Sequence, residues 1–372
     1  MDLITRVITP ITARRHEEDF IDRINFQYTP FLFLLSGALI TTYTYMQKPI
    51  TCWTPMEFAG GWIEYATSYC LIENTYYVPM DDPNMPDHYS REETKLQYYQ
   101  WVNFVLVLLA LGFFLPHVLW RSLNWWSGLQ VRAIVKACSE IKDDDKRAAS
   151  IKAITNHIKN TLYQNRHIAV LSRFEKNYTS NFWVTLVYFA MKAGSLLNIL
   201  FQLVILHKFL GFDWADFFNL RFGFESDWQD TGLFPRSTMC DFDIRNKGNV
   251  QRYSVQCVLN QNMFNEKIFL ILFYWLVVLF TITVANTFLW AFQLMRMNRI
   301  DYMRRMLKSA GVDEPLGPSF QDGDSKKRDH FETFINVTPD ASLLFHLISS
   351  NAGDSVCCEV IKTLYEIKKF DD

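Results

Sequence analysis

Ile268 to Trp290 reads IFLILFYWLVVLFTITVANTFLW, and no charged residue interrupts the chain from Ile268 to Met295, a run of 28. A helix needs about 20 apolar residues to cross a bilayer. Buried helices of soluble proteins keep a polar face, and this stretch has almost none. It reads as a membrane-spanning helix. Working outward, Ile24–Gln47 and Leu96–Trp120 are also free of charge, over 24 and 25 residues. Phe182–Leu206 is broken only by Lys192. One lysine at mid-span costs about 2.5–3.5 kcal/mol on insertion scales, and the surrounding Phe, Leu, Ile and Val offset it. Four spans follow, at 28–47, 101–120, 182–206 and 268–292.

The whole-chain numbers agree with this reading. The 372 residues are 49% hydrophobic and 16% aromatic, with 31 Phe. The mean hydropathy of −0.02 averages very apolar stretches with polar ones. A net charge of −2 lacks the basic footprint of a nucleic-acid binder. Residues 1–27 carry charges and no apolar core of a signal peptide, so the first span is expected to act as its own insertion signal.

Basic residues set the orientation. Lys and Arg number 11 in 121–176 and 11 in 296–372, against 3 in 48–95. Five of the tail's eleven, Arg296 to Lys308, directly follow the fourth span. The positive-inside rule then places the N-terminal segment 1–27, the middle loop 121–181 and the tail 293–372 in the cytoplasm. Loops 48–100 and 207–267 lie outside. Cysteine usage points the same way. Cys52 and Cys70 fall in the first outer loop, Cys240 and Cys257 in the second, an even number on the oxidising side. Cys138, Cys357 and Cys358 fall on the reducing side, where free thiols are the default. The expected fold class is an all-α membrane protein with four transmembrane helices, disulfide-stapled extracellular loops with some strand, and a helical cytoplasmic domain.

The soluble parts read as folded. Ile151, Ile154, Ile158 and Leu162 recur at helical spacing behind Asp143–Asp145, acids suited to a helix start. Thr338-Pro339-Asp340 opens a tail helix, a second is expected over Ser355–Lys369, and Gly311–Arg328 reads as a tether. In the first outer loop, Thr54-Pro55-Met56-Glu57 fits a capping box. A helix from there strings Phe58, Trp62, Tyr65 and Tyr69 into an aromatic stripe expected to pack against the ectodomain. Glu57, Gly61, Glu64 and Ser68 lie on an adjacent face. Small and acidic residues in one line suit a water-filled wall, where rings of carboxylates favour cations; the alternative is that Glu57 only caps its helix and Glu64 is an ordinary solvated side chain.

No phosphate-binding glycine loop, HExxH or CxxC is present, and the eight His show no metal-ligand spacing. Asp81-Asp82 lies in an exposed Pro-rich turn. No enzyme activity, cofactor or metal is expected. Polar groups inside spans mark function by default. Lys192, Ser195, Asn198 and Gln202 share about a third of the third span's circumference. They suit hydrogen bonding between helices, which is preferred, or contact with permeating ions. In span one, Gly37, Thr41, Thr44 and Lys48 line up as either helix-packing positions or a pore wall. Pro116 should kink span two.

Several motifs are more specific. Tyr98-Tyr99-Gln100-Trp101-Val102 heads the second span. Phe234-Pro235-Arg236-Ser237-Thr238-Met239-Cys240-Asp241-Phe242 and Asn249–Leu259 lead to Phe264-Asn265-Glu266-Lys267-Ile268-Phe269. Pro49–Trp53, Tyr69-Cys70 and Asn74–Tyr77 occupy the first outer loop. These resemble the innexins, invertebrate gap-junction proteins, in the nematode style, from about Phe20 to Asn351. One departure is Asn260, where the family commonly has Pro.

The resemblance implies four spans with both termini inside. It implies subunits ringed around a wide pore, an octamer being the ring size carried over, alone or with other innexins. Such hemichannels dock through their extracellular loops with the hemichannel of an apposed cell and pass ions and small metabolites at plasma-membrane junctions. It implies cross-loop bridges, Cys52 with Cys257 and Cys70 with Cys240. It also guides the N-terminus to the cytoplasmic pore mouth, where Asp2 and Arg6, four apart, share one face of a helical turn. Beside this stand an undocked, pannexin-like release channel and a pore-less four-span adhesion protein. The matches to N-x-[ST], at Asn177-Tyr178-Thr179 and Asn336-Val337-Thr338, fall on the inner side, which leaves the outer surface free of such sites for docking.

Overall fold

The computed structural model describes residues 18–79, 85–124, 128–141, 144–171, 182–211, 234–312, 334–335 and 338–369. Asp2, Arg6, Asp81, Asp82, Asn177–Thr179, Asn336-Val337 and all of the tether beyond Val312 lie outside them.

The first span begins with α1 (Phe20–Arg23), capped by Asp19, whose carboxylate accepts the Phe20 N–H at 2.6 Å. It widens to a π-helix over Ile24–Tyr28 and continues as α2 (Thr29–Met46). Pro30 gives the reason: in a regular α-helix its ring would meet the carbonyl of Phe26, four residues back, and it has no N–H to return. After α2 come β1 (Ile50–Trp53), α3 (Gly60–Glu73), β2 (Thr75–Tyr76), α4 (His88–Glu93) and β3 (Lys95–Leu96). The second span is α5 (Tyr98–Gly112) and α6 (Phe114–Asn124), interrupted at Phe113. Pro116 leaves the Gly112 carbonyl without its donor, and the helix breaks there. Then follow α7 (Val131–Ser139), α8 (Asp144–Leu171) and the third span, α9 (Trp183–Leu210). The hairpin β4 (Ser237–Asn246) and β5 (Asn249–Leu259) leads into the fourth span, α10 (Asn260–Gln293). The tail holds α11 (Arg296–Ser309), α12 (Pro339–Ala352) and α13 (Asp354–Lys369).

All four helices are long and apolar enough to cross a membrane, and they outrun the uncharged segments that revealed them. The first starts at Phe20 and the fourth at Asn260. A helix continues through polar flanks, whereas a count of uncharged residues stops at the first charge. At 1.5 Å per residue the 34 residues of α10 span about 51 Å, more than the roughly 30 Å of hydrocarbon.

Two compact units divide the chain. One comprises Thr29–Gly112 and Ile199–Leu279. It contains a five-stranded antiparallel sheet in the order β1-β5-β4-β2-β3, which joins strands from both outer loops. Val255, Cys257 and Leu259 alternate into its core, with Ile50, Phe58, Ala66, Cys70 and Phe242 around them. In the same unit α2 packs on α5. The other comprises Met1–Tyr28, Phe113–Asn198 and Phe280–Asp372. Its core gathers Ile134 and Val135 of α7, Ile151 and Ile158 of α8, Tyr188, and Leu343, Leu344 and Phe345 of α12 with Val360 and Ile361 of α13.

The helix expected after Thr54 starts six residues later. Its N-cap is Ala59, with no side-chain bond, and Thr54–Glu57 precede it in a turn that closes with Phe58 N–H to the Pro55 carbonyl. Phe58 is buried edge-on against Phe242 and Tyr253. Burying that ring, worth about 1.5–3 kcal/mol, outweighs a cap worth about 1 kcal/mol. The aromatic stripe accordingly splits. Phe58 is in the core and Tyr69 half-buried, but Trp62 and Tyr65 are exposed. In the tail, Thr338 caps α12 through the Ala341 N–H with Pro339 at its first position, and the second tail helix starts at Asp354.

Candidate functional site

Two bridges staple the unit that holds the sheet. Cys52 of β1 sits opposite Cys257 of β5 in the strand register and is bonded to it. Cys70, near the end of α3, is bonded to Cys240 of β4. Both bridges therefore join the loop between the first two spans to the loop between the last two. The Cys52, Cys70 and Cys257 sulfurs lie within 4.8 Å of one another. Being spent in disulfides, they offer no thiolate to a metal.

The residues at the head of α5 hold the end of α3. The Gln100 amide donates to the carbonyls of Leu71 and Ile72, both at 2.8 Å, and the Tyr99 hydroxyl donates to Leu71 at 3.3 Å. These are carbonyls of a last helical turn, which have no partner within their own helix. Asn74, at φ +80°, turns the chain away immediately after. Tyr98 sits edge-on to Phe209 and Phe234, whereas Trp101 is exposed.

Asp241 gathers the sheet edge, accepting from the Tyr76 hydroxyl and from the Arg91 guanidinium, each at 2.9 Å. Burial disfavours its charge, but hydrogen bonds from Ser254, Arg91 and Tyr76 outweigh that and hold its carboxyl below the usual range. Tyr76 is pushed up to about 12, first by burial and then by the charge of Asp241. Asn260 takes a useful place as well. Its amide donates to the Lys48 carbonyl at 3.2 Å, tying the start of α10 to the end of the first span.

The pore candidates separate by environment. Gly37 is buried, and a Cβ there would stand 3.7 Å from Leu106 of α5, an ordinary packing distance. The Thr41 and Thr44 hydroxyls bond back to the Gly37 and Ile40 carbonyls of their own helix. Lys48, Glu57, Gly61 and Glu64 are exposed, with Glu57 outside α3 and Gly61 and Glu64 on it. Of the fourteen residues of α3, only Ala66 and Cys70 are buried.

In the third span, Lys192 is fully buried and donates to both oxygens of Asp22, at 2.8 and 3.0 Å. The Tyr188 hydroxyl donates to the same carboxylate at 2.7 Å, and the ammonium lies 4.8 Å from the Tyr188 ring centroid. Asn25 bonds Thr283, while Asp19 accepts from Asn286 and Trp290. Three acids and amides ahead of α2 thus bind the third and fourth spans. Ser195 bonds back to the Met191 carbonyl, Gln202 donates to the Leu109 carbonyl, and the buried Asn198 amide nitrogen has no partner among the described residues. At the start of α9, Asp340 of the tail accepts from the N–H groups of Val184 and Thr185 and from the Thr185 hydroxyl. It caps a span from a different helix. Burial raises its pKa, and the bonds from Thr185 oppose the rise.

The innexin family profile matches residues 18–367. The chain belongs to the innexin family. Among curated relatives, Innexin-12 of Caenorhabditis elegans is 30% identical and aligns over 98% of this chain and 92% of its own length. Innexin unc-9 of the same animal is 33% identical, over 94% and 92%, and Innexin-3 is 34% identical, over 94% and 83%. The chain is accordingly a multi-pass membrane protein and a gap-junction channel subunit at the level of its family, and self-association goes with that family.

For this innexin, the signature Tyr98–Trp101 marks a helix-capping device next to a disulfide. Nothing in the motif alone said which carbonyls it meets. Asp22 and Asp340 were legible only as flanking acids. The signal for Asp22 was the lone Lys192, since an ammonium in a span needs an acid from a neighbouring element.

Proposed function

We propose that this innexin assembles as a ring, an octamer being favoured, around a wide pore that passes ions and small metabolites between adjacent cells. In this reading both termini and α7, α8 and α11–α13 face the cytoplasm, and the ectodomain docks with the hemichannel of the apposed cell. The observation that carries it is the cross-loop stapling. Two bridges and a shared sheet tie the described parts of the two loops into one unit, which suits end-to-end contact. The exposed carboxylates Glu57 and Glu64, repeated around a ring, would favour cations at the outer mouth. The proposal extends to Asp2 and Arg6, outside the described residues, which the family resemblance guides to the inner pore mouth.

Dye transfer between paired expressing cells tests this. Transfer is the expected result. Uptake by single cells without transfer would mean an undocked hemichannel, and neither would mean a protein without a pore.

A further inference from the structure

We infer that the cytoplasmic end of the fourth span carries a binding site for an anionic phospholipid headgroup, built from α11 and α13. A cavity of about 1330 Å³ opens there. Phe292, in the last turn of α10, and Met306 supply its apolar part, and Arg305, Lys362, His346 and Tyr302 its polar part.

Of the charged residues lining this cavity, Arg304, Arg305 and Lys362 face Asp301, Asp354 and Glu359, and Arg147 of α8 adds a fourth cation, so one positive charge is left over. Glu359 is held by Arg147 in a two-pronged pair at 2.6 and 2.9 Å. Asp354 accepts from the Ser349 hydroxyl, and Asp301 is 3.7 Å from Arg304. Arg305 and Lys362 have no acidic partner among the described residues, nor do Arg296, Arg299 and Lys308 on the same helix. Burial first, and then the neighbouring charge of Arg296, lower the pKa of Arg299. His346 is pushed down to about 4 by burial and by Arg305, so it stays neutral and offers a hydrogen bond without charge.

Position selects the occupant. α11 begins two residues after Leu294, and the Asn298 amide holds the Phe292 carbonyl at 2.6 Å, which fixes the bend between span and helix. Its packed face is Tyr302, Met303 and Leu307, while Arg304, Arg305 and Lys308 are exposed alongside Met297. A basic cluster immediately after a span attracts anionic lipid at about 1 kcal/mol per side chain. An apolar rim formed by the span itself suits the acyl end of a lipid better than a soluble phosphate. Assigning this leaflet as the cytoplasmic one rests on the proposed topology; the binding itself does not.

The test uses the full chain in detergent and a fluorescent phosphatidylinositol bisphosphate, read by anisotropy. Wild type should bind saturably and the R305Q/K362Q variant about thirtyfold more weakly. K152Q, an exposed lysine of α8, should bind as wild type. Equal binding by R305Q/K362Q overturns the site. So does equal competition by free inositol trisphosphate, which would make the ligand soluble. Should the double variant not hold its assembly on size exclusion, a salt titration of wild type decides: affinity must fall as salt rises, and a flat profile overturns the proposal. None of these readings depends on junction formation.

Discussion

The Lys192 ammonium lies 2.8 Å from the Asp22 carboxylate, and the two side chains expose 0% and 3% of their surface. A pair so placed fixes the beginning of the first span to the third. Removing one partner of a buried pair costs about 3–5 kcal/mol, because the other charge is left unpaired. Lys192→Met alone should therefore destabilise the detergent-purified channel by that order. Lys192→Met with Asp22→Asn should regain most of the loss. Equal melting temperatures for wild type and the single variant would contradict this role.

Each bridge closes a very long loop, with sequence separations of 205 and 170. Loss of a native disulfide from a small extracellular unit costs about 2–5 kcal/mol. Cys→Ser at any of the four positions should abolish dye transfer. Peptide mapping of the wild-type protein should recover Cys52 joined to Cys257 and never to Cys70.

Gln100→Ala removes the donor to two carbonyls at the end of α3. The expected loss is about 1 kcal/mol, seen as faster amide exchange at the α3 C-terminus. Gln100→Glu should be worse, since it sets a negative charge beside carbonyl oxygens that carry partial negative charge. Unchanged exchange in both variants would remove the cap from the account.

Asp241 gives the ectodomain an acid dependence of defined sign. Its folded pKa lies below the ordinary value, so its stabilisation is complete above the unfolded pKa and is lost as pH falls through the folded one. Melting temperature should be insensitive to pH between neutrality and about pH 5, then fall below about pH 4. Asp241→Asn should lower the plateau and flatten that acid limb.

For selectivity, Glu57→Gln with Glu64→Gln is expected to shift the reversal potential in a salt gradient toward anions, most clearly at low ionic strength. Glu64 stands on α3 and Glu57 on the turn before it, so Glu64→Gln alone should account for the larger part. A cation preference unchanged in the double variant would place both carboxylates away from the permeation path.

Hydropathy determined four membrane helices from this sequence, because about 20 uncharged apolar residues have no other common use. Cysteine placement and basic asymmetry gave it an expected orientation, and the motifs around Tyr98 and Cys240 gave it a family. These are local or additive signals, readable without knowing what lies next to what. Tertiary structure decided the rest. Burial of Phe58 cancelled a well-formed capping box and moved a helix start from Thr54 to Gly60. Gly37, which helical spacing left open between packing and pore wall, faces Leu106, a neighbour 69 positions away in the chain. Asp22 and Asp340 look like solvated acids in sequence, yet one neutralises Lys192 and the other caps α9. The physical reason is common to all three. A buried ring, a packed glycine or a buried carboxylate takes its energy from a partner far away in the chain, and only the folded structure names that partner.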